Sequence, residues 1–428
     1  MKLRRPKPWW KLLGPGVITG SADDDPSGIG TYSVAGAQFG YSMLWLCLIC
    51  LPLMTVVQEM CGRIAVVTGK GLAGVLKDHY PRWLLYAALV LLFGANVINI
   101  YADLNVMAAS MHMLVGGSEA GWLCGQTAAI ILLMILVPYR LYARVLKYLC
   151  LSLLAYVVTA LLPSVHNDWG AIAHHLFIPT WQAGTPFILT VVGFLGTTIS
   201  PYLFFWQASE EVEEEVMAGT VRVPGKRLTP ATKLEIKTLR FDTASGMLFS
   251  QLITFFIVIC TAATLHQMGK TDIETAQDAA KALLPLGNLA YLLFTLGIIG
   301  TGWLAIPTLA GSFAYGLAET NGWKYGLYRR YGKAKQFYLT IAGVILLGLL
   351  LNFVHAINPV KGLLYAAALN GIVAPFLVVL IVLATNNKRI VGVNTSPRWA
   401  SVLGWLTVVI MGSTSIILIW ALLSGGVG

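Results

Sequence analysis

Residues 23–28 read Asp23-Asp24-Asp25-Pro26-Ser27-Gly28, three consecutive carboxylates followed at once by a helix breaker. Carboxylates at this density either ligate a hard cation or act as acids and bases in hydrolysis. A second break, Gly196-Thr197-Thr198-Ile199-Ser200-Pro201, offers hydroxyls and no charge. Proline lacks an amide hydrogen and clashes with the turn before it, so Pro26 and Pro201 each free backbone carbonyls. Gly28 and Gly196 loosen the same stretches. Asp25, beside Pro26 in the unwound part, is the leading cation ligand. Asp23 and Asp24 serve either behind it, along an access path, or as solvated groups. The plain alternative is that the triplet caps a helix end in an aqueous vestibule.

The elements that must carry these residues are membrane helices. The chain has 428 residues, 57% hydrophobic and 11% charged, far below the roughly 25% charge of soluble domains. Hydropathy and turn signals give about eleven spans of a length that crosses a bilayer: 14–36, 42–66, 84–111, 121–138, 145–163, 184–209, 243–265, 287–315, 337–355, 362–385 and 400–424. Both breaks then fall at mid-depth. Freed carbonyls are tolerable there only around a protein-lined or watery cavity. Each buried carboxylate costs at least about 2.5 kcal/mol on insertion scales, and no lysine or arginine lies within a span core to offset it. A bound cation, facing the carbonyl end of the first half-helix, is the natural partner.

The formal charge of +10 raises the question of an anionic partner. Its placement answers for topology. With the N-terminus in the cytoplasm, all 29 Lys and Arg except Lys270, Lys281 and Lys361 fall on the inner side, as positive-inside insertion requires. No basic patch is left for nucleic acid. The expected setting is the bilayer of the inner (plasma) membrane, with an odd number of spans and the C-terminus extracytoplasmic. The N-terminal stretch lacks a small-residue cleavage site after a short apolar core, so it reads as mature sequence.

No loop is long enough to fold alone, so 1–428 reads as one transmembrane domain. The broken spans are the first and the sixth. An offset of five inserts the second half upside down, the signature of inverted repeats with discontinuous helices at the substrate site. Repeat one covers about 12–163, repeat two about 184–385, and an extra helix about 400–424.

Asp25-Pro26-Ser27-Gly28 resembles the Asp-Pro-Gly-Asn signature of the Nramp family of divalent metal transporters. Gln58-Glu59-Met60-Cys61-Gly62-Arg63 with Val67-Thr68-Gly69-Lys70-Gly71-Leu72-Ala73, and Ala374-Pro375-Phe376 through Lys388-Arg389-Ile390, resemble its second and tenth spans. The resemblance covers nearly the whole chain. It implies an all-α, leucine-transporter-like inverted repeat and a carrier, not an enzyme, with the metal as cargo and no cofactor. Departures narrow the branch. The family's Met-Pro-His is here Ser200-Pro201-Tyr202, its asparagine is Gly28, and of an acidic pair in the third span only Asp103 remains, Val106 standing at the other place. Loss of soft sulfur favours Mg²⁺, Ca²⁺ or Mn²⁺, and a roomier site suits an ion that keeps several waters. The departures resemble the Nramp-related magnesium transporters, which implies Mg²⁺ and Mn²⁺ import without strong proton coupling. In that reading Asp25 supplies charge, backbone oxygens near Ala22 and Thr197 complete the shell, Gly28 makes room, and Thr198 and Ser200 contact waters.

Asp103 and Glu59 are intramembrane carboxylates, either functional or bonded near an interface. Tyr202 stands in the family's histidine place, and Asn370 near a polar position of the tenth span, where helix-helix hydrogen bonding also explains it. Cys47 and Cys50 read as buried packing, Glu210 to Glu215 as a solvated helix end, His174 and His175 as solvated, and Trp9, Trp10, Trp83 and Trp399 as interfacial anchors. Three rival readings remain: a proton-coupled Mn²⁺/Fe²⁺ symporter, an intramembrane metal- or aspartate-dependent hydrolase, and an organic-solute carrier of the same fold, against which the three acids argue.

Overall fold

A computed structural model describes residues 15–137, 148, 151–227, 230–354 and 358–424. Trp9, Trp10, Arg140, Arg144 and Lys147, used above for anchoring and topology, lie outside them. Among the described residues the regular structure is helical apart from a two-stranded hairpin, β1 (Val221–Val223) and β2 (Lys226–Arg227). Among the described residues nine helical stretches are long and apolar enough to cross a membrane. One of them, 26–68, contains two expected spans, folded over at Gly40, whose φ of 58° suits a residue without a Cβ. The fifth expected span is described only in part, as the short apolar helix Leu154–Leu161.

The first span is α1 (Pro15–Asp23) and α2 (Pro26–Phe39), interrupted at Asp24-Asp25. There follow α3 (Leu44–Thr68), α4 (Leu72–His79), α5 (Arg82–Val115), α6 (Glu119–Leu136), α7 (Leu154–Leu161) and α8 (Trp169–Phe177). The sixth span is α9 (Thr185–Thr198) and α10 (Pro201–Ala218), interrupted at Ile199-Ser200. Then come α11 (Lys233–Thr261), α12 (Ala290–Asn321), α13 (Lys335–Val354), α14 (Pro359–Asn386) and α15 (Arg398–Leu423). Both breaks sit one residue before a proline at the first helical position, where its missing amide hydrogen is no loss and its fixed φ starts the helix.

The broken helices form the centre. α1 lies on α11, α2 on α11 and α14, and α9 on α14, while α5 packs on α12 and α14. Close approach rests on glycine. A Cβ on Gly20 would stand 2.3 Å from the Gly246 carbonyl oxygen, and one on Gly196 would stand 2.1 Å from the Ala367 carbonyl oxygen. Small residues at such crossings let membrane helices gain packing energy where lipid supplies no hydrophobic drive.

One expectation fails in part. Glu210 to Glu215 are a solvated end only at exposed Glu214 and half-buried Glu215: α10 runs to Ala218, and Glu210, Glu211 and Glu213 are buried. Specific donors hold two of them, since Glu213 accepts from the Tyr315 hydroxyl and from the Leu327 and Tyr328 amides, and Glu211 from Gln207. Cys47 and Cys50 are buried in α3, and Trp83 and Trp399 are exposed, as expected.

Gly196→Ala is expected to destabilise the protein by about 1–3 kcal/mol through overpacking. Gly343→Ala, with nothing within 4 Å of its added carbon, is expected to be neutral. Thermal unfolding of both variants in detergent checks the pair.

Candidate functional site

Asp25 bridges the gap between α1 and α2. Its backbone is extended (φ −69°, ψ 170°), and its carboxylate caps α2: Oδ1 accepts the Gly28 amide and the Ser27 hydroxyl, each at 2.7 Å. The partial positive charge of a helix N-terminus favours an anion there. The capping alternative is therefore realised, but in a buried place, since Asp25 is 1% exposed. Thr197 Oγ1, from the opposite break, stands 3.5 Å from the same Oδ1 and 3.2 Å from Ser27 Oγ. Oδ2 accepts from Asn99 Nδ2 of α5 at 3.1 Å.

Hydrogen bonds tie one break to the other. The Tyr202 hydroxyl donates to the Ala22 carbonyl at 2.8 Å, joining the first turn of α10 to the end of α1. Thr198 donates to the Phe194 carbonyl, so the Tyr32 hydroxyl is the donor in its 2.9 Å bond to Thr198. Ser200 turns back onto α9, donating to the Gly196 and Thr197 carbonyls at 2.8 and 2.7 Å. The carbonyls of Ala22 and Thr197 thus each accept one bond and retain a second lone pair. Gly28 faces this junction: a Cβ there would meet Tyr32 at 3.2 Å and Thr197 Oγ1 at 3.3 Å.

Asp23 and Asp24 are buried beside the junction and share the Ser250 hydroxyl of α11, at 2.6 and 3.1 Å. Asp23 Oδ1 and Asp24 Oδ2 have no hydrogen-bond partner among the described residues. Asp103 lies one helical turn from Asn99 on α5, fully buried, with the Ser27 backbone amide approaching its carboxylate. Asn370 is fully buried on α14, its side-chain amide without a hydrogen-bond partner among the described residues. Glu59 is not part of the junction. It holds Arg63 and Arg240 in ion pairs that tie α3 to α11.

Asn99 and Ser250 are the contacts sequence reasoning missed. Asn96, Asn99 and Asp103 recur at helical spacing inside an apolar span, a signal that could have drawn attention to α5. Ser250 offers none, being one serine in a long helix. Among the described residues no three His, Cys, Asp or Glu side chains form a metal-holding group. The junction is instead one carboxylate among hydroxyls, an amide and freed carbonyls.

A family model described as natural resistance-associated macrophage protein-like (Nramp) matches residues 16–421. The chain belongs to the Nramp family. This Nramp chain is 26% identical over 433 residues to a divalent metal cation transporter MntH of Ralstonia nicotianae, covering 97% of this chain and 93% of the relative. It is 25% identical over 411 residues to the MntH of Klebsiella pneumoniae, covering 94% and 92%. A crystal structure of a manganese transporter mutant from Eremococcus coleocola superposes with a TM-score of 0.78 at 16% identity, over 97% of this chain and 88% of that one. Mhp1, a nucleobase-cation-symport-1 family transporter, superposes with a TM-score of 0.53 at 13% identity, over 95% and 92%. The Nramp chain therefore has the leucine-transporter-like, multi-pass fold with broken first and sixth spans.

Tyr202→Phe removes one of the bonds between the two breaks and leaves the ring. Loss of about 0.5–1.5 kcal/mol is expected, read as a lower melting temperature than wild type in thermal unfolding.

Proposed function

We propose that this protein is an alternating-access carrier that imports Mg²⁺ and Mn²⁺ without strong proton coupling, with Asp25 as the charged ligand. The observation that carries the reading is a buried carboxylate between two helix breaks, surrounded by oxygen donors and, among the described residues, paired with no basic side chain. Its hydrogen-bonding neighbours are Ser27, Gly28, Asn99 and Thr197. An anion in this position is stabilised by a cation that arrives and leaves, which is the business of a carrier.

The ion sits, in this reading, against Asp25 with the carbonyls of Ala22 and Thr197. Gly28 leaves room for retained waters, and Thr198 and Ser200 meet those waters when their present bonds to the α9 backbone relax. Asp23 and Asp24 line the way in or out, and Tyr202 holds the breaks together between movements. Hard oxygen donors favour Mg²⁺ and Mn²⁺ over softer metals. The related proteins that carry metal names are described as divalent metal cation or manganese transporters, which supports the substrate class. With repeats over about 12–163 and 184–385, as expected from the sequence, the site lies in this reading where the halves meet. The basic residues support a cytoplasmic N-terminus and an extracytoplasmic C-terminus in the inner membrane.

A second reading, the proton-coupled Mn²⁺/Fe²⁺ symporter, is favoured by Asp103. A buried carboxylate with no basic partner, one turn from a ligand's neighbour, can take up a proton. The hydrolase reading lacks such support, since the named relatives are transporters.

Purified protein in liposomes, with interior dyes for metal and for pH, separates the two. Saturable Mg²⁺ and Mn²⁺ uptake with no pH change is expected, and Asp25→Ala is expected to lower it at least about 100-fold, consistent with losing the only charged ligand. Mn²⁺ uptake with interior acidification and no Mg²⁺ uptake would replace the first reading by the second.

A further inference from the structure

We infer that Asn99 is a specificity-determining residue of the cation site, its amide orienting Asp25 and its carbonyl oxygen receiving a water that the bound ion keeps. The inference rests on the carrier reading above and adds a residue from a third element, α5, to the two broken helices.

Asn99 is fully buried in the middle of α5, and its Nδ2 donates to Asp25 Oδ2 at 3.1 Å. This contact decides the amide's orientation, because the reverse would set its carbonyl oxygen against a carboxylate oxygen. The carbonyl Oδ1 is left with no donor among the described residues. A buried carbonyl without a donor loses its hydration without compensation, and a donor brought by a ligand would restore it. Asn96, one turn earlier, also has a carbonyl Oδ1 with no donor among the described residues, but it spends its amide on the Leu309 carbonyl and the Ser312 hydroxyl, bonds that fasten α5 to α12. Asn99 instead points its one fixed bond at the site's central charge.

The acceptor next to Asp25 fits a particular ligand. A bare cation is satisfied by the carboxylate and freed carbonyls. A cation that retains water brings donors, since its bound waters point their hydrogens outward and are acidified by the ion. Mg²⁺ dehydrates reluctantly and usually keeps several waters, so an amide oxygen at this distance from the carboxylate recognises it through the water, where direct ligation is not required. Gly28 has no Cβ, so no side chain stands between Tyr32 and Thr197 Oγ1 on the α2 side of Asp25, where an added carbon would approach them to 3.2 and 3.3 Å. Asn99 therefore contributes more to an ion that stays hydrated than to Mn²⁺, which exchanges water for protein oxygen more readily.

The test is the equilibrium binding of Mg²⁺ and of Mn²⁺ to the full-length purified protein, followed by calorimetric titration, in wild type, Asn99→Leu and Asn99→Asp. Asn99→Leu keeps the side-chain size and removes both polar groups. The expected result is a weakening of Mg²⁺ binding by about tenfold more than Mn²⁺ binding, the size of one water-mediated hydrogen bond. Asn99→Asp keeps an acceptor at the same place, and its Mg²⁺/Mn²⁺ preference is expected to stay within about threefold of wild type; this variant carries the test if Asn99→Leu does not fold. Equal weakening of both ions in Asn99→Leu, no weakening, or a preference lost in Asn99→Asp overturns the role while leaving the carrier reading in place. A wild-type protein that binds only Mn²⁺ also overturns it, because no hydrated ion is then recognised. A wild-type protein that binds neither ion overturns this role and the carrier reading together.

Discussion

Burying carboxylate groups without basic partners is the constraint from which the rest of this structure follows. Asp23, Asp24, Asp25 and Asp103 are each at most 1% exposed, and the ion pairs of the described residues lie elsewhere, at Glu59, Glu215 and other carboxylates away from the breaks. Isolated charges in such surroundings are stabilised only by dipoles, hydrogen bonds or an ion. The chain supplies the first two by breaking its helices. The N-terminus of α2 directs the Gly28 amide at Asp25, while the ends of α1 and α9 free the carbonyls of Ala22 and Thr197, which accept from Tyr202 and Ser200. Continuous helices would have consumed all of these groups internally.

Holding two broken helices together then becomes a packing problem. Half-helices of nine to eighteen residues have too little surface of their own to stay aligned, so neighbours must come close. Glycine at the crossings of α1 with α11 and of α9 with α14 brings backbones within contact of each other. The bonds from Tyr202 to Ala22 and from Tyr32 to Thr198 add direction to that contact. Both bonds join an element of one break to an element of the other, so neither break can move without the other being released. Coupled release of this kind is what a carrier needs to expose one site to two sides in turn.

Much of this was legible in the sequence. Long apolar runs, a skewed distribution of lysine and arginine, and Asp-Pro and Ser-Pro pairs at mid-span are strong signals because a bilayer punishes charge and unsatisfied backbone so heavily. They gave the helical class, the two breaks and Asp25. Short elements were missed: α4, α8 and the β1–β2 hairpin lie in loops too brief for periodicity to accumulate. Glu210 to Glu215 misled because charge usually means solvent, and only the folded chain brings Tyr315 and the Leu327 amide to Glu213. Asn99 and Ser250 were missed for a related reason. Each acts through a partner more than seventy residues away in sequence, and one polar residue in an apolar helix does not announce what it faces.

The central claim is that one cation is held at the junction of the two breaks, and its direct test is anomalous diffraction from crystals grown with Mn²⁺. A single strong manganese peak beside Asp25, between Pro26 and Thr197, is the predicted result. A manganese peak placed only at the Glu210 to Glu215 stretch, or at an exterior carboxylate, with none beside Asp25 in protein that transports Mn²⁺, would contradict the account.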